Sequence, residues 1–152
     1  MLDALFRLGY RAAYLCARAW WFVRRPRTRG AAIALWAEGR VLLVQTSYRK
    51  RYSLPGGFVG SSEEARAAAC REVREETGIV VPPDRLTLVY ERMLFVEHHY
   101  DTLSIFEIEL ASAPAVRANG RELIWIGWKT AEEAASLPLL SHVRAYLAAR
   151  KP

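Results

Sequence analysis

The chain has 152 residues and a mass of 17.3 kDa, with 52% hydrophobic and 25% charged residues. That is enough to bury one core, and it excludes a disordered chain. Of the net charge of +6, all lies in residues 1–29, which hold seven arginines and one acid (Asp3); residues 30–152 balance fifteen basic against fifteen acidic side chains. A balanced main body excludes a basic face for duplex nucleic acid.

Residues 1–29 are expected to form an amphipathic helix and a basic linker ending in RRPRTRG. At 100° per residue, Asp3, Arg7, Arg11, Arg18 and Arg25 fall within about 80° of one another, and the remaining surface is apolar. The arginines leave no apolar run near the roughly 20 residues a membrane span requires, nor the unbroken apolar region of a signal peptide. Three readings follow: packing on the domain or on a second copy in a homodimer, lying in an anionic membrane interface, or a processed targeting peptide. Cys16 and Cys70 lack zinc spacing and sit in apolar, helix-like surroundings, so free buried thiols in a reducing cytoplasm are expected, with a peripheral membrane location as the variant.

From Gly30 to residue 152 the pattern is that of one mixed α/β domain. Two apolar runs joined by Glu38-Gly39-Arg40 predict a β-hairpin. SYRKRYSLPGG is a loop with a forced turn at Pro55-Gly56-Gly57. A helix follows, with Ser61 and Glu64 placed for a capping box and Gly78 for a left-handed cap. LTLVYERMLFVE and YDTLSIFEIEL predict a strand pair, and ELIWIGW a further strand. Thr130 with Glu133 opens a capped helix, and LLSHVRAYLAAR closes the chain as another.

Glu72, Glu75 and Glu76 are related by i, i+3 and i+4 and share one helix face. A solvated acidic face balanced by Arg71 and Arg74 is the plain reading, since like-charge pairs at this spacing cost only a few tenths of a kcal/mol. The Gly-Gly turn just upstream favours another: a hard divalent cation takes oxygen ligands from adjacent helix turns, and glycine main chain can approach it closely.

With x for any residue and U for a bulky aliphatic, Gly57, Glu63, Arg71, Glu72, Val73, Glu75, Glu76, Gly78 and Ile79 fill the pattern Gly-x5-Glu-x7-Arg-Glu-U-x-Glu-Glu-x-Gly-U. This is the signature of the Nudix hydrolases, and the chain resembles that family over most of residues 30–150. Chance would match the seven fixed residues about once in 10⁸ windows. The resemblance implies the Nudix fold, a mixed β-sheet sandwiched between α-helices, and a metal-dependent hydrolase that cleaves a diphosphate linkage in a nucleoside diphosphate derivative. It implies Mg²⁺ (Mn²⁺ as substitute) held by Glu72 and Glu76, with the Gly56 carbonyl adding a ligand. Glu75 would bind a second ion or act as general base, and Arg71 would hold a carboxylate in place by charge-assisted hydrogen bonds. Gly60 and Ser62 depart from the residues common in relatives, glutamate and glycine, which bears on metal count and substrate geometry.

Glu63 is expected at the helix entrance, tying loop to helix; Val73, Cys70 and Thr77 should face the core. Among Glu97, Glu107, Glu109 and Glu122, the last is the candidate for a further carboxylate at the site, while Glu107 and Glu109 should face solvent. His98 and His99 are read as exposed turn residues. Arg49, Arg51 and Tyr52, with Tyr48 and Lys50, could grip phosphate and stack on a base. Markers of coenzyme A, NADH and ADP-ribose pyrophosphatases are absent, the last because Phe95 stands where a proline would. The rival from another class is a non-catalytic nucleotide-binding Nudix module recruited to a membrane by residues 1–29.

Overall fold

A computed structural model describes residues 2–150; Met1 and the last two residues of the expected domain, Lys151 and Pro152, lie outside the described residues. In chain order the elements are α1 (Leu2–Arg24), β1 (Arg27–Ala37), β2 (Arg40–Thr46), β3 (Gly56–Phe58), α2 (Ala65–Thr77), β4 (Thr87–Val96), β5 (His99–Glu109), β6 (Leu123–Thr130), α3 (Ala131–Ala135) and α4 (Ser141–Ala149), with a single 3₁₀ turn at Pro83–Arg85. The first strand begins three residues before the expected Gly30.

The sheet runs β4-β5-β1-β2-β6, and β3 pairs with the N-terminal part of β1. Among the strands of the described residues, β1 and β5 run parallel, from Arg27 opposite Tyr100 to Trp36 opposite Glu109, and the other strand pairs are antiparallel. Strand β1 has helices over both faces, which explains why its sequence is a continuous apolar run rather than an alternating one. Ala31, Ile33 and Leu35 point to α2, where they pack with Ala68, Ala69, Val73 and Phe106. Ala32, Ala34 and Trp36 point the other way, to Val143 and Tyr146 of α4 with Leu103 and Ile105. The expected sheet between helices is what the chain forms.

Local chemistry accounts for most element ends. The β1–β2 hairpin turns at Glu38 and Gly39, both with positive φ (52° and 72°), as a two-residue primed turn requires. Gly78 caps α2 with φ 75° and donates its N–H to the Arg74 carbonyl. Thr130 and Glu133 form the expected capping box at α3. The capping box expected from Ser61 and Glu64 does not form: α2 starts at Ala65 behind Glu64, whose side chain makes no capping bond. That entrance is instead held by Glu63, which accepts the Gly60 N–H and the Arg71 guanidinium.

Helix α1 ends before Pro26 and lies against the domain through its polar side. Asp3 pairs with Arg121 at 3.0 Å, Arg7 donates to the Gly120 carbonyl and Arg11 to the Ser47 carbonyl. Tyr14 bonds Glu97, and Trp21 is buried against His99. Two expectations are corrected by this contact. His99 is buried under Trp21 rather than exposed, and Cys16 is exposed because it stands on the outer side of α1.

Candidate active site

The site forms where β3 passes the N-terminal part of β1 and α2 leans across it. Two glycines permit that approach, each for its own reason. Gly56 has φ 152°, and a Cβ there would stand 2.3 Å from the Ala31 carbonyl oxygen and 2.5 Å from the Ala32 Cα. At Gly57 the obstacle is the carboxylate itself: a Cβ would lie 2.5 Å from Glu72 Cδ. The Gly-Gly pair is therefore the surface against which Glu72 rests.

One helical turn later, Glu76 receives the Gly56 N–H on Oε2 at 2.9 Å. Burial pushes its carboxyl up to about 8; the Gly56 hydrogen bond opposes the rise, and the nearby Glu122, Glu72 and Glu75 add to it. Glu122, at the entry to β6, also has its pKa raised by burial, with the Tyr48 hydroxyl opposing at 3.4 Å and Glu72 and Glu75 adding. Glu75 is the most open of the helix carboxylates, with 55% of its side chain exposed.

Arg71 organises the other side. Its Nε and Nη2 take both oxygens of Glu63 at 3.0 and 3.1 Å, Nη1 reaches Glu72 at 2.7 Å, and Nη2 also donates to the Phe58 carbonyl. Glu75 lies 3.6 Å from the same guanidinium. Arg29 closes this network by donating to the Gly60 and Glu63 carbonyls. The fork geometry of arginine thus ties the loop before α2 to the face that carries the carboxylates.

The sequence-derived candidates divide. Glu72, Glu75, Glu76, Gly56, Arg71 and Glu122 come together. Arg49, Arg51 and Tyr52 do not. Arg49 pairs with Glu97 at 3.1 Å and lies over the Tyr14 and Tyr48 rings, because α1 supplies partners that the strand-loop sequence does not reveal. Arg51 borders a hollow of about 450 Å³ with Pro138, Leu139, Ser141 and Arg144, beside α4. Tyr52 packs edge-on against Trp125 at 5.0 Å and belongs to the core on the α4 side. The residue of this loop that does face the carboxylates is Tyr48. Glu107 is also corrected: it is bonded by Tyr146 and Arg150 rather than left to solvent.

The donor set suits a hard divalent cation: buried and half-buried carboxylates, gathered around a glycine main chain, with one guanidinium to balance them. In the arrangement present, no three metal-binding side chains among the described residues already converge on one point. Arg71 holds Glu72 and the Gly56 N–H holds Glu76, so each of these carboxylates is already engaged in a hydrogen bond. The Gly56 group seen in contact is its N–H, not its carbonyl.

A NUDIX domain profile matches residues 26–149. The chain belongs to the Nudix family. It is 38% identical over 61 residues to a MutT-like protein of Streptomyces ambofaciens, a match that spans 40% of each chain. Its fold is similar to that of a MutT protein from Methanosarcina mazei Go1, with a TM-score of 0.71 at 21% identity, covering 82% of this chain and 93% of the other. It is likewise similar to a MutT NUDIX hydrolase from Burkholderia pseudomallei (TM-score 0.69, 24% identity, 83% and 99% coverage). A third is a dihydroneopterin triphosphate pyrophosphohydrolase of E. coli (TM-score 0.64, 26% identity, 81% and 92% coverage). The family profile stops short of α1, which this chain adds to a Nudix body.

Proposed function

We propose that this Nudix protein is a Mg²⁺-dependent pyrophosphohydrolase acting on a diphosphate linkage in a nucleoside diphosphate derivative, with Mn²⁺ as a substitute ion. The observation that carries the reading is Glu76: a partly buried carboxylate kept next to three others and held by a glycine N–H. Such a group is a liability in a purely structural crevice and useful where a cation is to be bound. The same observation weighs against the non-catalytic module, which has no need to retain a full set of acidic side chains.

In this mechanism Glu72 and Glu76 would hold the ion, with main chain at Gly56 beside them. The bound ion would supply charge neutralisation at the phosphate oxygens. Arg71 is a positioning residue, fixing Glu72 and Glu75 through its fork. Water forms a bond to phosphorus as the bridging P–O bond breaks; the departing phosphate keeps the electron pair, and Glu75, the open carboxylate, takes the proton. Glu122, steered by Tyr48, is the further carboxylate of the site.

The test is a hydrolysis screen with Mg²⁺ over nucleoside triphosphates, nucleotide sugars, ADP-ribose and dinucleotides, with products identified by mass and E76Q as control. The triphosphate arm is included because one structural neighbour is a triphosphate pyrophosphohydrolase. Cleavage of one class, abolished in E76Q, is the expected result. Equal turnover by E76Q would overturn the mechanism.

A further inference from the structure

Much of the polar stripe of α1 is spent on the domain, and among the described residues this leaves most of its other side uncovered, apart from an edge-on contact of Phe22 with His98 at 5.1 Å. Asp3, Arg7, Arg11, Tyr14 and Trp21 make the contacts to Arg121, Gly120, Ser47, Glu97 and His99. Opposite them, Leu5, Leu8, Leu15, Trp20, Phe22 and Val23 are between 58% and 76% exposed. At 100° per residue these six occupy about 160° of arc with no charged residue among them. A shallow hollow of about 510 Å³, lined by Leu5, Phe6, Gly9, Tyr10 and Ala13, continues the apolar surface along one flank. An unbroken strip of large apolar side chains along a whole helix exceeds what a soluble monomer ordinarily leaves in water.

Charge says what covers it. Arg7, Arg11 and Arg29 are bonded to the domain, whereas Arg18, Arg24, Arg25 and Arg27 are exposed and none of them pairs with a carboxylate among the described residues. On the helix wheel Arg18 and Arg24 flank the apolar strip on its two edges, where their stems can run along lipid and their charges reach headgroups. Trp20, with Arg24 stacked on it at 5.3 Å, stands near the same end, a side chain suited to the water–lipid boundary. No helix among the described residues is long and apolar enough to cross a membrane, so the helix would lie along the surface.

We propose that the outer face of α1 docks the protein onto an anionic lipid surface, with the apolar strip in the interfacial layer and Arg18, Arg24, Arg25 and Arg27 against the headgroups. The inner face of the same helix carries Tyr14, whose ring lies 4.9 Å from that of Tyr48, and the Tyr48 hydroxyl reaches Glu122. The docked helix therefore supports one wall of the carboxylate crevice through Tyr14 and Tyr48.

The test is flotation of the full-length protein with vesicles of phosphatidylcholine alone and of equal parts phosphatidylcholine and phosphatidylglycerol. Binding to the mixed vesicles is expected, weakening with added salt by several-fold, and falling about tenfold or more in the double variant L8E/L15E. That variant alters two exposed positions, so its thermal midpoint and its turnover of a soluble substrate should match the parent. E76Q should float like the parent, which separates this proposal from the catalytic one. No flotation, or equal flotation with phosphatidylcholine alone, would overturn the assignment. So would a dimer in solution that L8E/L15E splits, since a second copy of the chain would then own the face.

Discussion

Replacing Glu76 by glutamine should make the metal-free protein more stable while abolishing hydrolysis. Burial and the surrounding carboxylates raise the Glu76 carboxyl from 4.5, its ordinary value, to about 8. Between those two pH values the unfolded chain has released the proton and the folded protein keeps it. Stability is therefore complete below the lower value and declines as pH rises through the window, levelling above the upper one. At about 1.4 kcal/mol per pKa unit, the ceiling of the loss is about 5 kcal/mol. Water entering the crevice and movement of the carboxylates reduce this, so a gain of about 2–3 kcal/mol for E76Q at high pH is expected. The glutamine carbonyl can still accept the Gly56 N–H, and its amide can donate to the carboxylates around it. Urea denaturation of both proteins in a chelator, at about pH 5 and about pH 8.5, reads the gap, which should be small at the first and open at the second. A variant less stable than the parent at the higher pH, or a gap that does not widen, would refute the reasoning. The residue would then not be a strained, charge-crowded acid awaiting a cation.

The two glycines should separate stability from activity. G57A places a methyl 2.5 Å from Glu72 Cδ and should cost roughly 100-fold in kcat with a small change in thermal midpoint, whereas G56A meets the β1 backbone at 2.3 Å and should lose about 3 kcal/mol of folding stability or more. R71K keeps the charge but not the fork that grips Glu63 and Glu72; kcat should fall about tenfold or more while KM moves less, and an unchanged kcat would remove Arg71 from the site. Acid should act through His142, which burial and the nearby Arg49 push down to about 4 from 6.5. Between these values the unfolded chain binds the proton first, so stability falls as pH drops through the window, by at most about 3 kcal/mol. Urea midpoints of E76Q with and without a further H142Q change, taken across that window, would show the slope flatten if His142 is its source.

Adding Mg²⁺ should stabilise the parent more at high pH than at low pH, because the ion competes with the Glu76 proton. Thermal midpoints with and without the ion check this, and E76Q should show little response at either pH.

What the sequence determined by itself is what spacing within one element determines. The i, i+3, i+4 relation puts Glu72, Glu75 and Glu76 on one face whatever surrounds the helix, and Gly39 and Gly78 mark turns because their backbone angles disfavour other residues. The Thr130–Glu133 capping box was legible for the same reason. Ser61 and Glu64 carry a similar pattern but do not cap, because α2 starts only at Ala65 and Glu64, not Ser61, stands at the N-cap; Glu63, bound by Arg71 and the Gly60 N–H, holds that entrance instead. The β4–β5 turn was legible as a turn, though not its geometry, since Glu97 and His98 adopt positive φ without being glycine. Tyr14, Arg49 and Phe22 hold that tip in place. Arg49 likewise looks like a phosphate grip until α1 brings Tyr14 to it. Amphipathicity told that α1 has two sides, but not which one faces the domain. That choice rests on contacts such as Arg7 with Gly120 and Asp3 with Arg121, between residues more than a hundred positions apart. Local geometry cannot encode such meetings; only the assembled sheet, with its loops brought under the helix, decides that Asp3, Arg7 and Arg11 turn to the domain and the apolar side remains outside.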